Sequence, residues 1–78
     1  MVSVENKIKE LIEYKLGINS KHYSDNSNFR EDLGCDSLDL IDLIMEVERE
    51  FNIAIPDSDI DQVTTVKGLI NYVQGRLK

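Results

Sequence analysis

The run from Ser37 to Phe51 limits what this chain can fold into more than any other stretch. When successive residues are turned by about 100° around a helix axis, Leu40, Leu43, Ile44, Val47 and Phe51 fall on one side. That stripe dictates a helix with one face on a core. The opposite side gathers Leu38, Ile41 and Met45, with Asp42, Glu46 and Arg49 beside them. A helix packed on one small core has no use for a second apolar stripe, and small domains seldom expose such patches without a partner. Isolated surface residues of this kind are ordinary. Three of them at i, i+3 and i+7, next to a serine at the helix start, mark a candidate interaction surface.

Ser37 carries two readings. Structurally, a serine after a glycine and an aspartate is a helix N-cap or first-turn residue that satisfies a free backbone amide. Chemically, the start of a helix tolerates an anion, because unpaired amides and the positive end of the dipole meet there. A phosphodiester on the serine oxygen is compatible with that place.

The remaining periodicities predict a small all-α bundle of three main helices plus one short helix. Val4, Ile8, Leu11, Ile12 and Leu16 share one face of a first helix over about Val4 to Leu16, with Ser3 as N-cap and Gly17 just past its end. Val66, Leu69, Ile70, Val73 and Leu77 form the face of a last helix over about Val66 to Leu77, capped by Thr65 and weakened by Gly68 and Gly75, roughly 1 kcal/mol each relative to alanine. Between the first two helices, residues 18 to 36 make a long connector whose Ser24-Asp25-Asn26-Ser27-Asn28 is a turn signal. Tyr23, Phe29 and Leu33 are its expected anchors in the core. Pro56 prevents the second helix from continuing and holds Ile55 extended, so Ile53 to Ile55 reads as a buried connector rather than a strand. Asp57 to Asp61 alternate aspartates like the start of a calcium loop. Gln62 and Gly68 stand where such a loop needs glycine and glutamate, which leaves a short capped helical turn with Ile60 and Val63 inward.

Seventy-eight residues make one domain, 1–78, with a single core. No apolar run approaches the roughly 20 residues of a membrane span, and Met1 to Glu5 lack the basic and apolar regions of a secretory signal, so the cytoplasm is the expected compartment. The net charge is −6, and eleven of the fifteen acids lie between Glu31 and Asp61 with one base, Arg49, among them. Such a field disfavours nucleic-acid phosphates and anionic membranes and steers partners that carry basic patches. Aspartates and glutamates also keep a small protein in solution, but solubility does not require their concentration in the middle of the chain.

An enzyme would need a constellation of groups that is not present in the pattern. His22 is the only histidine, in a polar loop, and nothing brings it to Ser37 and Asp36 as a triad. Phosphate-cradling glycines and zinc spacings are missing. One cysteine, Cys35, permits no internal disulfide. A thiol near a helix start is open to activation, but no second cysteine or paired base accompanies it, and a small residue filling a turn is the favoured reading.

The order Glu31-Asp32-Leu33-Gly34-Cys35-Asp36-Ser37-Leu38-Asp39, then the acidic helix, then Phe51 to Ile55, Pro56-Asp57 and Thr64-Thr65-Val66, resembles an acyl carrier protein of the dissociated type along nearly the whole chain. The resemblance implies that Ser37, in the triplet Asp36-Ser37-Leu38, carries 4′-phosphopantetheine transferred from coenzyme A by a phosphopantetheinyl transferase. It implies a non-catalytic carrier of acyl groups, expected in fatty acid biosynthesis and acting as a monomer. Its partners would be acyl or malonyl transferases, ketoacyl synthases and related enzymes with basic patches. It further implies a core able to open for an aliphatic chain. Leu38, Ile41 and Met45 are the expected apolar contacts and Asp39, Asp42, Glu46 and Glu48 the charged ones. Two alternatives remain open: a specialised carrier for a polyketide, modified lipid or aminoacyl group, and an acidic helical adaptor without a prosthetic group.

Overall fold

The structure is a computed structural model that describes residues 3–77. Met1 and Val2, part of the segment read above for the absence of a secretory signal, lie outside the described residues. Helix α1 spans Val4–Leu16, α2 spans Ser37–Phe51 and α3 spans Val66–Arg76. A 3-10 turn at Ser20–His22 and a 3-10 helix at Asp57–Val63 complete the set. Among the described residues no strand forms; Ile53 to Ile55 is a connector, and Asn28 and Thr65 make one isolated antiparallel bridge.

The helix ends follow local chemistry. Ser3 accepts the amide of Asn6, and Thr65 accepts that of Gly68. Gly17 closes α1 with φ +67°, a left-handed conformation that glycine adopts without strain, and donates its amide to Glu13. Asn52 closes α2 in the same region at φ 54°, where asparagine is among the tolerated side chains. The 3-10 helix after Pro56 has no side-chain cap, contrary to the expected capped turn. Proline supplies only a fixed φ there.

The core joins Ile8, Leu11 and Ile12 of α1 to Leu40, Leu43, Ile44 and Val47 of α2 and to Val66, Leu69, Ile70 and Val73 of α3, with Phe29, Ile55 and Val63 from the connections. Helix α1 packs on both α2 and α3, and the 3-10 helix packs on α3. Not every expected core residue is fully buried: Val4, Leu16 and Ile60 are half-buried against the core. Leu77 is 47% exposed, because α3 ends at Arg76 and leaves Leu77 as a cap outside the helix. Phe51, at the last position of α2, is half-buried at the edge of the core.

The lysines of α1 bind the surrounding acids. Lys7 Nζ lies 2.9 Å from Glu50, which raises its pKa through that hydrogen bond first. Lys9 joins Glu5 at 3.1 Å and Asp25 of the long connector at 3.3 Å, and Lys15 reaches Glu46 at 3.7 Å. These surface pairs add little stability singly, but those of Lys7 and Lys15 offset charge at the rear of α2 and none in its first two turns.

Candidate functional site

The serine is held by a chain of contacts that begins in the core. Phe29, fully buried, donates its amide to Thr64 at 2.9 Å and accepts the amide of Cys35 at 2.9 Å. The same connector covers the start of α3, where Val66 donates to the carbonyl of Ser27 at 3.1 Å and Lys67 to that of Asp25 at 2.8 Å. Amides that a helix start leaves without partners are thus satisfied by the loop. The expected anchors are all found: Phe29 in the core, Tyr23 and Leu33 half-buried against it.

Asn28 builds the turn that follows. Its Oδ1 accepts the amides of Arg30 and Glu31, and its own amide donates to Asp32 Oδ2 at 2.6 Å. Gly34 then takes φ +70°, with open space where a Cβ would stand, so glycine is needed for its backbone and not for room. The chain is thereby turned to bury Cys35 and to deliver Asp36 and Ser37 at the surface.

Asp36, not Ser37, is the N-cap of α2: its Oδ1 accepts the amide of Asp39 at 2.8 Å. Ser37 is the first helical residue and lies exposed, and its hydroxyl has no hydrogen-bond partner among the described residues. An aspartate followed three residues later by another acid is a capping pattern that was present in the sequence. Both aspartates lie near the positive end of the helix dipole, which favours them.

The second stripe stands out from the protein as its spacing predicts, with Leu38 74%, Ile41 45% and Met45 53% exposed. Asp36, Asp39 and Asp42 are exposed around it, and none of the three is in an ion pair among the described residues. Glu46 and Glu48 are placed differently. Glu46 is half-buried between Lys15 and Arg49, the latter at 3.5 Å. Glu48 turns inward, and its Oε2 accepts the amide of Ile55 at 2.9 Å. Nothing in a local pattern announces that contact, because its partner lies beyond the end of the helix.

Cys35 is buried, and burial pushes its thiol above the ordinary range, with Asp39 and Asp36 adding to the effect. That is the reverse of an activated thiol. His22 lies exposed in the 3-10 turn, with no hydrogen bond or ion pair joining it to Ser37 or Asp36.

Comparison with known proteins agrees with this geometry. The family described as "Phosphopantetheine attachment site" matches residues 6–73. A solution structure described as an acyl carrier protein from Anaplasma phagocytophilum superposes with a TM-score of 0.88 at 30% sequence identity, over 100% of this chain and 94% of that one.

Proposed function

This chain belongs to the phosphopantetheine attachment family in its acyl-carrier form, and on that premise we propose that Ser37 is the attached residue and that the carrier serves fatty acid biosynthesis in the cytoplasm. The family is a non-catalytic carrier domain, and its cofactor is 4′-phosphopantetheine. When bound, that group supplies a terminal thiol on which acyl groups are held as thioesters.

The observation that carries the assignment is the exposed, unpartnered hydroxyl of Ser37 at the first position of α2. A group joined there needs no protein atom to move and breaks no hydrogen bond of the fold. Asp36 fixes the helix start on one side, and Leu38 presents an exposed apolar surface on the other. Tethering confines cargo to the small volume swept by the arm, which raises its effective concentration at each enzyme surface.

The partner surface follows from the same helix. Leu38, Ile41 and Met45 supply apolar contact, and Asp39 and Asp42 supply charge to phosphopantetheinyl transferase, acyl or malonyl transferase and ketoacyl synthase. Glu46 and Glu48, already engaged inside the molecule, contribute less to that surface. The pathway rests on the resemblance of the whole chain to dissociated carriers. The core is filled by Phe29, Ile8, Ile12, Leu43, Leu69 and their neighbours, so sheltering an aliphatic chain requires these side chains to part.

Intact mass before and after incubation with coenzyme A, magnesium and a broad-specificity transferase tests the attachment. One phosphopantetheinyl group is expected on the protein and none on Ser37→Ala; modification of the variant would reject the site. Loading of the modified protein with malonate by a fatty-acid malonyl transferase tests the pathway. Asp39→Lys with Asp42→Lys is expected to weaken transferase association most at low salt, and unchanged association would reject the steering role.

A further inference from the structure

We propose that the cleft between the long connector and the start of α3 receives the phosphopantetheine arm of the same chain, with Arg30 as the partner of its phosphodiester. This rests on Ser37 being the attached residue. The cleft is lined by Asn28, Arg30, Glu31, Cys35 and Thr64 and holds about 460 Å³. That lies within the ~300–1,000 Å³ of pockets that take small ligands. A second cleft beside the site, against Leu33, Gly34 and Asp39, holds only about 170 Å³. A third, at the far ends of α1 and α3 against Val4, Gln74 and Leu77, does not border the serine.

Chain geometry makes the first cleft reachable. Cys35 lines it, and two residues of extended chain span at most about 7 Å between Cα atoms. Ser37 is not itself among the lining residues, but its Cα lies within that reach of one of them, and an arm extending from its hydroxyl spans the remaining distance. A phosphodiester on Ser37 Oγ would enter a strongly acidic neighbourhood of Asp36, Asp39 and Asp42. Arg30 is the one base between His22 and Arg49 in the chain, and among the described residues it forms no ion pair. Its guanidinium is free to pair with a phosphate oxygen, a contact for which its planar fork is suited.

The other groups suit the rest of the arm. Asn28 uses its Oδ1 on two backbone amides, which leaves its Nδ2 as a donor. Thr64 makes only a long 3.5 Å contact to the carbonyl of Asp61, so its hydroxyl is available. The arm is a chain of amides that both donate and accept, and these groups match it. Glu31 shares the cleft and opposes an anion there, so the phosphodiester belongs on the Arg30 side and the amides beside Glu31.

The test compares the protein and Arg30→Ala by intact mass and by amide NMR before and after modification at low and high salt. The Arg30 amide is held by Asn28 Oδ1 and not by its own side chain, so the fold of the variant is retained. Both proteins should gain the group. Only the native one should then show shifts at Asn28, Arg30, Cys35 and Thr64, and those shifts should shrink with salt. Modification with shifts confined to residues 36–39 would overturn the cleft and leave the attachment intact. Absence of any mass gain on both proteins would overturn attachment and cleft together.

Discussion

Glu48 holds the turn out of α2 by accepting three hydrogen bonds from following residues on two of its oxygens: its carbonyl accepts the amides of Asn52 and Ile53, and its carboxylate accepts that of Ile55 at 2.9 Å. The connector that carries Ile55 into the core therefore hangs on one side chain. Glu48→Ala leaves a part-buried amide without an acceptor and should cost about 1–3 kcal/mol, whereas Glu48→Gln keeps an acceptor and should cost less. Urea unfolding of the two variants measures the difference. Equal stabilities would reject this role.

Gly68 and Gly75 look equivalent in the sequence, but they should respond oppositely to alanine. A Cβ on Gly68 would stand 2.6 Å from the backbone oxygen of Gln62 and 3.0 Å from the Thr65 hydroxyl that caps α3. A Cβ on Gly75 meets open space. Gly75→Ala should stabilise by up to ~1 kcal/mol through helix propensity. Gly68→Ala should destabilise, because the 3-10 helix must move off α3. Thermal unfolding of the pair decides it.

Tyr23 has a buried hydroxyl with no hydrogen-bond partner among the described residues, and burial raises its pKa. Removing an unpaired buried hydroxyl relieves a desolvation penalty, so Tyr23→Phe should be neutral or stabilising by about 1 kcal/mol. Denaturant midpoints of variant and native protein check the sign, and a clear loss of stability would reveal a partner.

Asp36 and Ser37 are neighbours with separable roles. Asp36→Ala removes the N-cap of α2 and should cost about 0.5–2 kcal/mol. Ser37→Ala removes no protein hydrogen bond and should leave the unfolding midpoint unchanged. Circular dichroism melts of both variants distinguish a residue that holds the helix from one that is displayed by it.

The thiol of Cys35 sets a pH dependence of known sign. The unfolded chain loses that proton near the ordinary thiol value of about 8.5, and burial delays its loss in the folded protein. Below that pH both states hold the proton and the contribution is constant. Above it the unfolded state binds fewer protons, so stability should fall as pH rises. Cys35→Ala should remove this part of the alkaline slope. A thiol reagent at neutral pH should react with the native protein more slowly than with the denatured chain.

Local spacing determined the helices, the caps Ser3 and Thr65, the left-handed Gly17 and the exposure of Leu38, Ile41 and Met45, because each depends on residues within one or two turns of one another. Local pattern also placed the serine at the start of α2, and the segment order that resembles a carrier family implied what it would carry. Tertiary structure alone decided the rest. Lys15 draws Glu46 off the outward face, Asp25 and Ser27 close the start of α3, and Gln62 forbids a side chain at Gly68. Each of those contacts except the last joins residues more than thirty positions apart, and the last joins separate helices across a turn. Periodicity reports which way a side chain leaves its own helix, but which atom it then meets is set by how the helices pack.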